Sequence, residues 1–149
     1  MTEVNALLGL EILKEIDEMV KNRNKYAELY RTNLSKIPGL KFQTTTLGAV
    51  HTYKDFAIIV DPKKFGIDRD KLYDALSKEN IMTRKYFNPA VHQLKAYSRI
   101  KHDGLPNTEF LTRSVLCLPI YSFMEESLIK DICQAIERVQ HSAGEISEK

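Results

Sequence analysis

The sequence has 149 residues, 43% hydrophobic and 28% charged, which is the composition of an ordinary globular domain with one core. That composition excludes a disordered chain, and no apolar run approaches the roughly 20 residues that a membrane span requires. Cys117 and Cys133 lie in apolar stretches, and the four histidines are scattered without metal-ligand spacing. We therefore expect a cytoplasmic protein with reduced core cysteines, no metal site and no membrane partner.

The net charge of +2 hides one strongly basic segment, residues 83–102. It contains five basic residues and no Asp or Glu, whereas the rest of the chain has 17 basic and 20 acidic residues. The five are Arg84, Lys85, Lys95, Arg99 and Lys101. Such a local charge attracts a phosphate-bearing ligand. Basic and aromatic residues together also suit single-stranded nucleic acid, but a single patch is a small footprint for a polymer, so we expect no nucleic-acid partner.

The N-terminal part of the sequence predicts one long helix from Thr2 to about Leu34, ended by Pro38-Gly39. Its apolar stripe comprises Val4, Leu8, Ile12, Ile16, Val20, Ala27, Tyr30 and Leu34, widened by Leu7, Met19 and Tyr26. Such a helix is about 50 Å long, more than a compact domain of this size covers. Apolar residues surround most of the helix in "VNALLGLEIL" (4–13), so we expect another segment or subunit to cover it, with close approach at Gly9.

Strands and helices alternate after this helix. Residues 50–60 predict a β-branched and aromatic strand, and residues 81–87 predict a second strand that Asn88-Pro89 ends. Between them, Asp68 is the expected N-cap of a helix with an apolar inner face. The inward residues of that helix are Leu72, Ala75 and Leu76.

The second half of the chain predicts a short helix over 90–99, a helix beginning near Thr108 and a short strand within 114–121. An amphipathic helix over 125–140 closes the domain, and we expect the polar tail 142–149 to fray. Its expected buried stripe is Leu128, Ile132, Ala135, Ile136 and Val139. The pattern indicates an α/β or α+β fold, in which helices cover a small mixed or antiparallel sheet mainly on one face.

The order of these motifs resembles the C-terminal part of the DegT/DnrJ/EryC1/StrS family, the pyridoxal-phosphate-dependent sugar aminotransferases of the aspartate aminotransferase fold. Four stretches carry the likeness, which extends from Met1 to about Val139: "MTEVNALLGLEIL", "TYKDFAIIV", "GIDRDKLYDALSKENIMTRKYFNPAVHQLKAY" and "VLCLPIYSFMEESLIKDICQAI". The resemblance implies three parts. They are a long interdomain helix over 1–35, the small C-terminal domain over 36–141 and a tail over 142–149.

The resemblance also implies a reaction, the transfer of an amino group, often from glutamate, to a keto sugar nucleotide through pyridoxal phosphate. In the family, the Schiff-base lysine, the GEGG-like turn after it and the aspartate that pairs with the pyridinium nitrogen belong to a large cofactor domain. Here Ser35-Lys36 and Ser77-Lys78 lie inside or at the end of predicted helices, and no Gly-rich turn follows either. We therefore assign no catalytic or cofactor-binding residue, and expect this chain alone to bind no cofactor and to be inactive.

The most specific stretch is "TRKYFNPAVHQLKAY" (83–97), which resembles the family's small-domain loop of arginine, aromatics, proline and histidine. Judged from the residues alone, His92 is more often a packed or capping histidine, and Tyr86 and Phe87 are more often strand aromatics. The resemblance implies instead one wall of a nucleotide-sugar pocket, with Arg84 on the phosphate. The implied substrate-binding residues are Arg84, Tyr86, Phe87, Asn88, His92 and Tyr97.

Two other functions remain open at this point. The chain could be a stand-alone binding or regulatory module that kept the small domain without catalysis, or one half of a split enzyme. In each case the exposed N-terminal helix predicts association with a cofactor domain or with a second copy of the chain. Half a pocket buries only part of a ligand, so we expect weak binding of a nucleotide-diphosphate sugar by the chain alone.

Overall fold

An antiparallel sheet of three strands and its covering helices make up the fold in the computed structural model, which describes residues 1–147. The helices are α1 (Glu3–Leu34), α2 (Pro62–Phe65), α3 (Arg69–Lys78), α4 (Pro106–Ser114), α5 (Glu126–His141) and α6 (Ala143–Ser147), and the strands are β1 (Leu40–Phe42), β2 (Phe56–Val60) and β3 (Val115–Leu118). The predicted fold class, a small antiparallel sheet with helices, is confirmed.

The central strand β2 forms the middle of the core. It pairs antiparallel with β1 and with β3, and its register places Ala57 opposite Cys117. Its side chains alternate between the two faces, so that Phe56, Ile58 and Val60 are buried and the residues between them are half-buried. The sequence predicted a longer strand, 50–60, but the ladder begins only at Phe56.

The C-terminal half of α1 is fastened to this sheet by Tyr30. Its ring stacks on Phe56 with 5.0 Å between the ring centroids, and its hydroxyl donates a hydrogen bond to the Pro119 carbonyl at 2.9 Å. Burial raises the pKa of Tyr30 well above its usual value, so the phenol stays neutral. An aromatic ring that fills the core and also satisfies its hydroxyl explains why the helix keeps one orientation here.

The N-terminal half of α1 is not covered by any described residue. Thr2 caps the helix by accepting a hydrogen bond from the Asn5 amide, yet the apolar side chains of the first four turns are between 42% and 66% exposed. They are Val4, Leu7, Leu8, Leu10, Ile12, Leu13 and Ile16. A Cβ added at Gly9 would meet nothing within 4 Å, so the close contact expected there does not occur among residues 1–147. None of the helices in that range is long and apolar enough to cross a membrane.

Helix α5 packs against α1 and α3 and buries one continuous face. That face comprises Ile129, Ile132, Cys133, Ala135, Ile136 and Val139. The prediction of Leu128 was wrong, because this residue is 40% exposed and Ile129 takes the inward position at the spacing of three and four that a helical face requires. Cys117 and Cys133 are buried and free, as expected, and burial raises the pKa of these thiols to about 11 and about 12.

Three predicted elements differ in the structure. Residues 81–87 do not form a strand, since only Arg84 pairs with the sheet before the chain turns at Asn88, whose amide donates to the Lys85 carbonyl. The helix expected over 90–99 is two separate 3-10 turns, Val91–Gln93 and Lys95–Tyr97, with an extended residue between them. The tail expected to fray forms α6, which buries Ala143; residues 148–149 lie outside the described range.

Asp68 is the N-cap of helix α3, as the sequence predicted, and its carboxylate accepts a hydrogen bond from the Lys71 amide. The next residue, Arg69, is 1% exposed and donates from Nη1 to the Val115 carbonyl at 2.8 Å, which joins α3 to β3. Asp70 accepts hydrogen bonds from Arg69 and from Lys85. Partial burial pushes the pKa of Asp70 up, but the Lys85 hydrogen bond and the two cations outweigh it, so this pKa is lowered.

The lowered pKa of Asp70 predicts a pH dependence of stability. A carboxyl with a depressed folded-state pKa stabilises the fold above its unfolded pKa, about 3.9, and this stability is lost as pH falls through the folded value. The side chain is 55% exposed, so we expect a contribution below about 1 kcal/mol. Urea unfolding between about pH 5 and pH 2 should show a smaller acid loss in Asp70→Asn than in wild type. Asp74→Asn, on the same helix, should match wild type; equal acid losses in both variants would contradict the prediction.

The exposed half of α1 predicts association. Exposed apolar patches of this extent are rarely left open, so we expect the chain to self-associate or to bind a partner through residues 4–16. Light scattering over a concentration series should show a rising mass for wild type and a lower mass for Leu10→Glu. Asn5→Glu adds the same charge to the same segment without removing an apolar side chain, and it should behave as wild type. A strictly monomeric wild type that captures no partner would show that this prediction is wrong.

Candidate functional site

One backbone pairing attaches the predicted site segment to the sheet. The Arg84 amide donates to the Cys117 carbonyl at 3.0 Å, and the Cys117 amide donates to the Arg84 carbonyl at 2.8 Å. After Arg84 the chain turns away from the edge of β3. It then runs over α4 as an irregular loop, residues 86–105, which we call the site loop. The peptide bonds before Phe87 and Pro89 in this loop are both cis.

A cavity of about 550 Å³ lies between the site loop and α4. Four predicted residues line it: Tyr86, Phe87, His92 and Tyr97. Most of the remaining wall is apolar, and comprises Ala90, Val91, Ile100, Leu105 and Leu111, with His102, Thr108 and Thr112 as the polar members. We call this space the apolar cavity. Its volume is within the range of small-ligand sites, and its few polar groups can orient a ligand without holding a strong charge.

Arg84 lies on a second, smaller depression of about 310 Å³, which we call the Arg84 depression. Its wall also includes Lys54, Asp55 and Tyr121, and Tyr86 borders both this depression and the apolar cavity. The Arg84 guanidinium donates a hydrogen bond to the Tyr86 hydroxyl, which raises the pKa of Arg84 from its ordinary value. The structure therefore divides the predicted residues between two adjacent depressions that share Tyr86.

Phe87 is held from both sides. Its ring stacks on that of Tyr86 with 4.9 Å between the centroids, and its carbonyl accepts a hydrogen bond at 3.0 Å from the hydroxyl of Thr112, a buried residue of α4. The ring itself remains 73% exposed and lines the apolar cavity. Phe87 thus presents a fixed aromatic surface that is available to a ligand.

His92 is largely enclosed in the apolar cavity, with 13% of its side chain exposed. Its ring packs edge-on against His102 with 4.8 Å between the centroids, and its Nε2 lies 3.6 Å from Oε1 of Glu109 on α4. That separation is longer than a hydrogen bond. Among the described residues the buried Nε2 has no hydrogen-bond partner.

One predicted site residue, Asn88, lies outside both depressions, and so does Lys85 of the basic segment. Asn88 is exposed and serves the turn through its backbone, which fits its Asn-Pro sequence. Lys85 is bound to Asp70 at 2.6 Å and packs over the Tyr73 ring at 4.2 Å, so its charge is turned toward α3. The +5 charge of residues 83–102 is consequently not one surface, and a phosphate near Arg84 meets Lys54 and Asp55 instead of the other basic residues of the segment.

Sequence reasoning missed the contribution of α4. Glu109 and Thr112 are three residues apart, so they share one face of a helix, and both contact the site loop. In the sequence, the signal for this contribution was the spacing of Glu109 and Thr112 on a predicted helix that directly follows the site loop. Within residues 1–147 no cluster of His, Cys, Asp and Glu could hold a metal ion.

The chain matches the model of the DegT/DnrJ/EryC1/StrS aminotransferase family over residues 1–137. It is 33% identical over 139 residues to a dTDP-4-amino-4,6-dideoxy-D-glucose transaminase of Escherichia coli, covering 91% of this chain and 37% of that protein. It is 32% identical to the spore coat polysaccharide biosynthesis protein SpsC of Bacillus subtilis, over 96% and 38% of the two chains. The chain thus spans little more than a third of the length of these relatives.

A crystal structure of DesI in the presence of its TDP-sugar product has the same fold. It superimposes with a TM-score of 0.92 at 26% sequence identity, and the match covers 99% of this chain and 38% of DesI. PseC of Helicobacter pylori, an aminotransferase involved in the biosynthesis of pseudoaminic acid, superimposes with a TM-score of 0.85 over 95% of this chain. At 18% identity, the likeness to PseC concerns the fold alone.

The hydrogen bond from Thr112 to Phe87 predicts a stability effect. Thr112→Val keeps the shape of the side chain but removes the donor, which leaves the Phe87 carbonyl without its partner on α4. We expect the free energy of unfolding to fall by about 1 kcal/mol, measured by urea unfolding. Thr108→Val is the matched control, because Thr108 is an exposed threonine of the same helix. Equal stability of the two variants would contradict this role of Thr112.

Proposed function

The chain belongs to the DegT/DnrJ/EryC1/StrS aminotransferase family, and from this we propose that it is the C-terminal small domain of a sugar-nucleotide aminotransferase. The match of residues 1–137 to the family model carries the proposal. The length of the relatives, of which the chain spans about 37%, supports a division of labour with a cofactor domain. In this proposal residues 1–35 link the domains, residues 36–141 form the small domain and residues 142–149 are its tail.

The apolar cavity is proposed as the sugar side of the site, with Tyr86, Phe87, His92 and Tyr97 as its contacts. The E. coli relative is named for a 4,6-dideoxy sugar, in which a methyl group replaces the hydroxymethyl group of glucose. A wall rich in apolar and aromatic side chains favours such a methyl group and the apolar face of a sugar ring. The few polar groups of the wall then form hydrogen bonds with the remaining hydroxyls of the sugar, either as donors or as acceptors.

The Arg84 depression is proposed as the phosphate side. The guanidinium of Arg84 has five donors, of which the Tyr86 hydroxyl occupies one, and the others suit the oxygens of a diphosphate. The carboxylate of Asp55 on the same wall repels an anion, whereas Lys54 attracts it. A diphosphate held here therefore depends chiefly on Arg84, and Asn88, which lies outside both depressions, stays a prediction from the family resemblance alone.

Pyridoxal phosphate supplies the amino-transfer chemistry of this family, but the described residues do not form a site for it. Among residues 1–147, the lysine that borders the Arg84 depression is Lys54, which is exposed, and no lysine lines the apolar cavity. No glycine follows Lys54 before Gly66. A phosphate cradle next to a Schiff-base lysine requires closely spaced backbone amides, which a Gly-rich turn provides. We therefore derive no step of the reaction through the cofactor from this chain, whose part is to bind and orient the sugar nucleotide.

A cytoplasmic location is also part of the proposal. Cys117 and Cys133 are buried, free and raised in pKa, so neither thiol is poised for reaction. Two unpaired core cysteines suit a reducing compartment.

Binding of a dTDP or UDP sugar to the isotope-labelled chain tests the site. We expect a dissociation constant no tighter than roughly millimolar, because two open depressions bury only part of the ligand. On titration, chemical shifts should change at Tyr86, Phe87 and His92, which face the sugar in this proposal, and at Arg84, which faces the diphosphate. Affinity should fall with added salt, because the attraction lies between exposed charges.

Arg84→Gln should weaken binding several-fold and reduce its salt dependence, because it removes the charge on the phosphate side. Arg138→Gln is the matched control, since Arg138 is an exposed arginine that pairs with Glu79. Shifts that cluster on α5 and leave Arg84, Tyr86 and His92 unchanged would show that the assignment is wrong. A ligand that shifts nothing at about ten times the expected dissociation constant would contradict binding by this chain alone.

A further inference from the structure

We propose that Glu109 is a positioning residue for His92, and that its carboxylate determines which ring nitrogen of His92 carries the proton. The motivating contact joins α4 to the site loop, with Oε1 of Glu109 3.6 Å from Nε2 of His92. The functional meaning of this contact rests on the proposed sugar site, in which His92 is a ligand contact. Glu109 itself is not among the residues that line the apolar cavity.

The need for a partner arises from burial. The His92 side chain is 13% exposed, and its Nε2 is buried without a hydrogen-bond partner among residues 1–147. A buried polar atom left in this state is costly, and a movement of roughly 0.5 Å would bring the two atoms to hydrogen-bond distance. A carboxylate can only accept, so the hydrogen bond forms when Nε2 carries the proton.

Arg113, on the same helix, contacts both the carboxylate and the backbone carbonyl of Glu109. The second oxygen of that carboxylate, Oε2, lies 3.5 Å from Nη2 of Arg113, and the Arg113 Nε donates to the Glu109 carbonyl at 3.1 Å. The carboxylate is thus directed by a cation one turn along α4, which leaves Oε1 toward His92. The third group in contact is His102, whose ring packs edge-on against His92 and whose Nδ1 lies 2.9 Å from the Asp103 carbonyl.

The consequence for a ligand follows from the chemistry of imidazole. A neutral ring with its proton on Nε2 has a free lone pair on Nδ1, so it accepts a hydrogen bond; in the other tautomer Nδ1 is a donor. With Glu109 in place, His92 presents an acceptor, which suits a sugar hydroxyl. The same helix face fixes the loop backbone through Thr112 and Phe87, so α4 sets both the position of the loop and the hydrogen-bonding character of its histidine.

Nuclear magnetic resonance of the ¹⁵N-labelled chain tests this without any ligand. Long-range proton–nitrogen spectra of the histidine rings distinguish the two tautomers, and we would record them well above the usual histidine pKa of about 6.5. In wild type we expect the proton of the neutral His92 ring to be mainly on Nε2. Glu109→Ala should shift the balance toward Nδ1, whereas Glu109→Gln, whose amide oxygen still accepts, should largely retain the wild-type tautomer.

The controls separate positioning from a general structural role. Glu28→Gln removes an exposed carboxylate from α1 and should leave the His92 spectrum unchanged. Amide spectra identify any variant that fails to fold, and if Glu109→Ala is such a variant, the tautomer of wild-type His92 then decides the test. A proton mainly on Nδ1 in wild type, or the same tautomer in wild type and a folded Glu109→Ala, would overturn the proposal.

The outcome is independent of the proposed sugar site. If the tautomer follows Glu109 but nucleotide sugars do not shift His92, the positioning contact stands and the proposed ligand is wrong. If sugars shift His92 and the tautomer ignores Glu109, the site stands and the positioning role is overturned. In the expected case Glu109→Ala weakens sugar binding several-fold and Glu109→Gln restores most of it, because the acceptor at Nδ1 is lost and then recovered.

Discussion

The reciprocal hydrogen bonds between Arg84 and Cys117 are the constraint on which the candidate site depends. They are the point at which the site loop joins the sheet, and they fix the direction in which the chain leaves β3. Arg69 supports the same strand by donating a hydrogen bond to the Val115 carbonyl, and Asp70 holds Lys85 next to the pairing. The position of a loop with little secondary structure is thus determined by one residue pair and a buried arginine.

Helix α4 holds the first half of the site loop after the pairing of Arg84 with β3. Thr112 donates a hydrogen bond to the Phe87 carbonyl, and Glu109 lies beside His92. Helix α4 therefore contacts both Phe87 and His92. Their chemistry then differs from that of Arg84, which lies across Tyr86 in a separate, charged depression. In the proposed function, the apolar space takes the sugar and the charged depression takes the diphosphate.

The sequence predicted the fold class, the long N-terminal helix, the Asp68 cap and the closing helix, because strong periodicity and capping chemistry are local properties. It failed where pairing depends on distant residues. The run 81–87 has strand composition, but the Asp70 contact with Lys85 and the turn at Asn88 limit its pairing to Arg84. The division of the site into two depressions, and the part of Glu109, could not be predicted because both arise from the packing of α4 on the loop.

Stability and binding are located in different parts of this domain. The core of Tyr30, Phe56 and the buried face of α5 is closed, whereas the apolar cavity and residues 4–16 of α1 both leave apolar surface open. Burying that surface against other groups would be favourable by roughly 25 cal/mol per Å², but a small ligand covers only the cavity. The open helix face, residues 4–16, requires a surface about 20 Å long. In the proposed function the closure of the site depends on a second surface, which is why we expect weak binding by the chain alone.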